Sequence, residues 1–367
     1  MHRLIVKRLR PWLLLLLVTL GAFLFLKHDT YLYQQPIAVI TEVKTTEANE
    51  TSDQFGNQVQ QFEQSMIAQI MNGSGQGKKI HLTNQYDSSL ALTTNLKIGQ
   101  QIFVRETDKN IWQIQNTKRD YIWLPILVFI LGLMLILFGK SRQKLLLSTL
   151  MNVCLFMAFI FLDLNLGNSS IFAVFIAFFV LATVLTTGIL LGFRSHVTWL
   201  INATVLTTGL VTILLTLAVF WLTHEKGIYY EHMDFVTQDP ASLFLAVTFV
   251  GLLGALLDEA TDMIVVIDAL VQSRPDMSWQ AIVQAGREIG QTIFGSLNNV
   301  LLLIFMAEQI PMAILYLRNG NSWDYTFTAT LSLGVIQALI SAIGIVLTVP
   351  IGLGFILLSR RVIGGKR

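Results

Sequence analysis

The chain has 367 residues, of which 53% are hydrophobic and only 13% charged, against about 25% charged in an average soluble domain, so it is an integral membrane protein. A net charge of +2 with no basic run to track phosphates excludes a nucleic-acid partner. Cys154 is its one cysteine, which excludes disulfides within the chain and cysteine-based metal sites.

Residues 1–29 place Arg3, Lys7, Arg8 and Arg10 before an apolar stretch over 12–26. A cleaved signal peptide has the same charge pattern but ends in a small-residue site. Here the run ends in Phe25, Leu26, Lys27 and His28, which predicts an uncleaved anchor with a cytoplasmic N-terminus. Residues 30–120 form a polar insert. Alternating stretches at 37–43, 79–83, 101–104 and 111–115 are separated by turn signals such as MNGSGQG at 71–77, the pattern of a small β-rich domain. The glycines do not make a phosphate loop, because Asn72 stands where its first glycine belongs.

From residue 121 the chain is almost continuously apolar, a membrane domain over 121–367. Candidate spans are 121–138, 145–162, 171–192, 197–222, 241 to about 257, 293–317 and 327–358, each near the ~20 residues a bilayer requires. With the anchor they make eight. Lys140, Arg142, Lys144, Arg194, Arg274, Arg287, Arg360, Arg361, Lys366 and Arg367 then all fall on the side of Met1. The positive-inside rule puts that side, and both termini, in the cytoplasm and the β-rich insert outside.

Within the spans, Thr204, Thr208, Thr212 and Thr216 recur every four residues, and Gln337, Ser341, Gly344 and Thr348 form a similar stripe. Gly188 and Gly192 make a GxxxG step. Such stripes serve close helix packing, with hydroxyls bonding back to their own backbone, or line a pore. The loop 223–240 holds His224, Glu225, Glu231, His232 and Asp234. No i, i+4 histidine pair or HExxH pattern fixes a metal geometry there.

The stretch 251–296 organises the chain. It carries Asp258, Glu259, Asp262 and Asp268 within a few turns, and acidic groups so close to a membrane face protein or water. On a wheel of ~100° per residue, Asp258, Thr261, Asp262, Val265, Asp268 and Ala269 share one arc. Met263, Ile264, Val266, Ile267, Leu270 and Val271 take the other side. Counted from Ser242, Asp258 lies about 24 Å along the helix, near the cytoplasmic edge of a ~30 Å hydrocarbon core; a break at Gly251 or Gly254 would set it deeper. Paired carboxylates at i, i+4 repel and so favour a proton or a cation, while an interfacial helix turning its acids to water, or docking a partner, fits the same pattern. Downstream, Arg287, Gln291, Asn298 and Gln309 align on one face of a continuous helix, with Arg287 positioned to pair with an acidic residue. Glu308 precedes Pro311, which frees the carbonyl of Ala307.

GALLDEATDMIVVIDAL, the turn at 275–279, and AGREIGQTIFGSLNNVLLLIF resemble the signature region of the YibE/F-like family of bacterial integral membrane proteins. The second run carries its glycine and asparagine pattern on Gly286, Ile289, Gly290, Gly295 and Asn299. The outer domain is similar too, with its Gly-rich turn, the element at 99–104, and Arg119 before the second span. Glu259 to Thr261 depart from the small or apolar residues of the pattern. The resemblance implies a polytopic protein of the cell membrane of Gram-positive bacteria, with a paralogous membrane subunit as partner. It implies neither substrate nor catalytic residues. WQAIVQAGREIG is loosely similar to the coupling loop of ABC importer permeases, a minority reading that would bring an ATPase partner.

The expectation is an all-α polytopic membrane bundle of about eight transmembrane helices with a small extracytoplasmic β-rich domain. Its expected work is transport of an ion or small solute, with Asp258, Asp262, Asp268, Arg287, Asn298, Asn299 and Glu308 as candidate transport or ion-binding residues. The competing expectation is a non-transporting scaffold or envelope-sensing component that binds a partner through its external domain. No catalytic residues, metal or cofactor are expected, since no nucleophile with a base, no HExxH and no nucleotide loop appears.

Overall fold

The structure is a computed structural model that describes residues 2–52, 58–73, 75–90, 93–108, 111–138, 142–166, 171–230, 233 and 239–364. Among the described residues, eight helical stretches are long and apolar enough to cross a membrane. They are α1 (His2–Lys27), α2 (Asp120–Leu137), α3 (Arg142–Leu166), α4 (Ile171–Leu191), α5 (His196–Thr223), α6 (Pro240–Ser273), α7 (Trp279–Arg318), and a last stretch. In that last stretch α8 (Trp323–Thr326) runs through a π-helical segment (Phe327–Leu331) into α9 (Ser332–Gly364). The chain divides into two compact units, Met1–Arg142 and Gln143–Arg367.

The first unit joins α1 and α2 to a five-stranded antiparallel sheet. Its strands are β1 (Ile37–Ser52), β2 (Gln58–Ile70), β3 (Lys79–Asp87), β4 (Gln101–Asp108) and β5 (Ile111–Thr117), in the order β3-β2-β1-β4-β5. The sheet curls until β3 and β5 approach one another, closing half a barrel over Ala38, Ile40, Met66, Ala68, Ile70, Ile80, Leu82, Ile102 and Val104. Four strands contain the predicted stretches. The fifth, β2, was not predicted, because an amide stands at an inward position of its alternation: Gln64, 1% exposed, lies in line with Met66, Ala68 and Ile70. Its Nε2 donates to Leu96 O at 3.0 Å and its Oε1 accepts from Leu96 N at 3.1 Å, so the buried amide is satisfied. Asn72 has a structural task as well. Its Oδ1 accepts from Ile37 N at 2.6 Å, and its Nδ2 donates to the carbonyls of Tyr33 and Gln35.

Lys118 ties the sheet to both helices of this unit. It is 2% exposed, and its Nζ lies 2.8 Å from Asp29 and 2.9 Å from Asp120. The Tyr33 hydroxyl donates to Asp120 at 2.6 Å. Burial, then the hydrogen bond and charge of Asp120, push the Tyr33 phenol well above its ordinary pKa.

In the second unit, α4, α5 and α7 pack around α6 and α9. Three of the four threonines of the α5 stripe bond back to their own helix: Thr204 to Leu200 O, Thr212 to Thr208 O, and Thr216 to Thr212 O, each at 2.8 Å. The Gly188/Gly192 step works within its own segment and not between helices. Gly192, at φ +98°, ends α4 in the left-handed region, and the Phe193 ring folds back onto Gly188, where a Cβ would stand 2.2 Å from it. At the turn between α6 and α7, Arg360 of α9 donates to the carbonyls of Met277, at 2.6 Å, and of Pro275.

Candidate functional site

Local chemistry starts α6 cleanly. Asp239 is its N-cap, with Oδ2 accepting from Ser242 N at 3.0 Å. Pro240 follows at a position where a missing N–H costs nothing. The helix then runs 34 residues without a break at Gly251 or Gly254. Unbroken helical geometry sets Asp258 and Asp262 one turn apart on one face, and both are exposed. They border a cleft of about 540 Å³ whose walls include Thr186 and Thr187 of α4, Thr261 of α6 and Ser296 of α7. Leu190 and Leu191 extend the wall to the end of α4, so the cleft lies beside the α4–α5 turn. Thr186 is held by Asn152 of α3 at 2.9 Å, and Thr187 donates to Asn202 of α5 at 2.7 Å. Neither Asp258 nor Asp262 has a cationic partner among the described residues.

The fourth acid of the helix behaves differently. Glu259 is 0% exposed, and both its carboxyl oxygens are buried without a hydrogen-bond partner. Two close approaches fix its surroundings. A Cβ on Gly344 of α9 would meet Leu252 of α6 at 2.8 Å and the Thr212 hydroxyl of α5 at 3.3 Å. A Cβ on Gly352 would meet Met263 at 2.4 Å and Thr204 at 3.3 Å. Glu259 lies on the face of α6 that carries Leu252 and Met263, within about 40° of each at ~100° per residue. It therefore stands between the two approaches, in the layer of Thr348 of α9 and Thr208 of α5. Thr208 is the one threonine of its stripe whose hydroxyl is buried without a partner.

The remaining predicted residues do not converge on one point. Asp268 lies about 9 Å further along α6 than Asp262 and accepts from Gln272 Nε2 at 2.7 Å. Arg287 is exposed on α7 and makes no ion pair among the described residues. Gly286 and Gly290, beside it, pack against Leu353 and Val349 of α9, so WQAIVQAGREIG is packed helix and not a loop. Asn298, half-buried, and Asn299, exposed, follow the cleft wall formed by Ser296 and Leu297. Asn299 Nδ2 donates to Gly295 O at 2.9 Å. Glu308 is exposed about 15 Å further along α7 than Asn298, and the helix continues through Pro311. Of the loop residues, Glu231, His232 and Asp234 lie outside the described residues; His224 and Glu225 take left-handed backbone after α5.

Sequence reasoning did not single out Glu259. The signal was present, since the wheel that groups Asp258 with Asp262 sets Glu259 among the apolar positions. Only the structure shows that nothing pairs with it.

Family models match both parts of the chain: YibE/F-like protein over residues 126–360, and the YibE/F family N-terminal domain over residues 31–118. No curated protein and no solved structure matches it. With the first match alone covering more than half of its length, the chain belongs to the YibE/F-like family and is a multi-pass membrane protein of that family.

Proposed function

We propose that this protein carries a cation or small cationic solute across the cell membrane by way of the cleft between α4, α6 and α7. The observation that supports this most is the pair Asp258 and Asp262, exposed to that cleft with no cationic partner among the described residues. Two carboxylates one turn apart repel each other. Within spanning helices such groups are retained where a cation or proton offsets their charge. Thr186, Thr187, Thr261 and Ser296 add hydroxyl oxygens that suit a hard or hydrated cation. In this reading both termini are cytoplasmic, the sheet is outside, and the cleft opens to the cytoplasmic side, where Arg194 lies in the α4–α5 turn. The protein performs no enzymatic step and works in the bilayer beside a paralogous membrane subunit.

The test is uptake by proteoliposomes of the full chain against a panel of alkali cations, divalent cations and a polyamine. Uptake of one class above protein-free vesicles, reduced at least tenfold by Asp258→Asn with Asp262→Asn, is the expected result. Unchanged uptake in the double variant would overturn the assignment of the cleft.

A scaffold or sensing role has one observation in its favour. The outer sheet holds a second cleft of about 350 Å³, with Asn84, Gln85, Thr94, Asn116 and Arg119 among its walls, suited to a polar ligand. If deleting residues 30–120 abolishes the cellular phenotype while the aspartate variants leave it intact, that role takes precedence.

A further inference from the structure

We infer that Glu259 is a proton-carrying site, which exchanges its proton with the cleft by way of Asp262. An ionised carboxylate with no partner in an apolar interior carries a desolvation cost of many kcal/mol, and Glu259 has both oxygens in that position. A bound metal ion would need about six oxygen ligands. The layer offers the Glu259 carboxyl, the Thr208 hydroxyl and the Thr348 hydroxyl, and Thr348 already donates to Gly344 O at 3.0 Å. One proton meets the need, because it removes the charge that makes burial of the carboxyl so costly.

The surroundings leave few groups to compete for that proton. Helix α4 carries no charged residue, and α5 carries only His196 at its first position. On α9 the charges are Arg360 and Arg361, more than two turns beyond Gly352. On α7, Phe305 packs at Gly251, so the α7 residues level with Glu259 lie near Leu297, and Arg287, Glu288 and Glu308 are each about 15 Å away along the helix. On α6 itself the facing acids are Asp258 and Asp262, with Asp268 further along. Asp262 is three residues on, a separation of about 5–6 Å between Cβ atoms, and it reaches the cleft. In the exchange the Glu259 O–H bond breaks and an O–H bond forms on an Asp262 oxygen. Glu259 is left anionic and Asp262 neutral until Asp262 passes the proton to water in the cleft. Charge on Glu259 thus alternates with charge at the cleft, coupling a proton to whatever cation the aspartates hold. That coupling rests on the transport reading; the proton site itself does not.

Infrared difference spectra of the full chain in lipid, recorded between acid and alkaline pH, test the site without any solute. The expected result is a protonated-carboxyl C=O band in the wild type at neutral pH, lost in Glu259→Gln and retained in Glu259→Asp and in Asp258→Asn with Asp262→Asn. A band that survives Glu259→Gln, or no band in the wild type at neutral pH, overturns the proton site. If the band pattern holds while no cation enters wild-type vesicles, the transport reading falls and the proton site stands.

Discussion

Replacing Glu259 by leucine should make the membrane unit more stable while abolishing its coupling. Each buried oxygen without a partner costs about 1–3 kcal/mol in unmet hydrogen bonding, and Glu259 has two. Leucine removes both penalties and joins Leu252, Leu256 and Met263 on the same face. Against that, fitting a branched side chain between helices that touch at Gly344 and Gly352 costs about 1–3 kcal/mol of strain. Taken at the middle of each range, the balance is a gain of about 2 kcal/mol, or a rise in Tm of about 4–8 °C for a unit of this size. Thermal unfolding in detergent, followed by intrinsic fluorescence, reads it directly. A fall in Tm of more than about 4 °C would refute the reasoning, because it would mean that the carboxyl makes stabilising contacts. A stabilised but uncoupled variant is what a residue kept for function at a cost in stability produces.

Other outcomes follow from the geometry. Gly334→Ala should destabilise the second unit by about 1–3 kcal/mol, because its Cβ would stand 2.8 Å from the Phe305 carbonyl oxygen, which is backbone and cannot rotate away. Gly254→Ala, which meets open space, should be neutral or slightly stabilising in the same melt. Lys118→Met should cost the first unit about 3–5 kcal/mol by leaving Asp29 and Asp120 unpaired, read as faster limited proteolysis of the sheet. The raised pKa of Tyr33 means that its neutral form favours folding. That contribution is complete below the ordinary tyrosine pKa of about 10 and is lost as pH rises above it. Alkaline unfolding of the first unit should therefore begin at lower pH in wild type than in Tyr33→Phe. Asp239→Ala should cost about 1 kcal/mol at neutral pH as a lost N-cap. Its pKa is lowered, first by the Ser242 hydrogen bonds, so the cap's contribution is present above the usual carboxylate range and fades as pH falls through it.

The spans were legible because an apolar run of about 20 residues has one stable answer in a bilayer. The four strands with clean alternation were legible for a similarly local reason. What stayed hidden depends on partners distant in sequence. Gln64 breaks the alternation of β2, and only Leu96, 32 residues on, satisfies it. Gly188 and Gly192 match a helix-packing motif, yet the ring that Gly188 accommodates is Phe193 of the same segment. The acidic stripe of α6 was read correctly as a face, but composition favoured its exposed members. Glu259 stands out only once α5 and α9 close over it, which no reading of a single helix contains.

The most direct measurement is cation uptake into proteoliposomes with and without an imposed proton gradient, for wild type, Asp258→Asn with Asp262→Asn, and Glu259→Gln in parallel. A proton-coupled carrier predicts that the gradient accelerates uptake in the wild type, that the aspartate variant loses uptake under both conditions, and that Glu259→Gln loses only the response to the gradient. Uptake in the aspartate variant equal to the wild type, or a gradient response that survives Glu259→Gln, would contradict it.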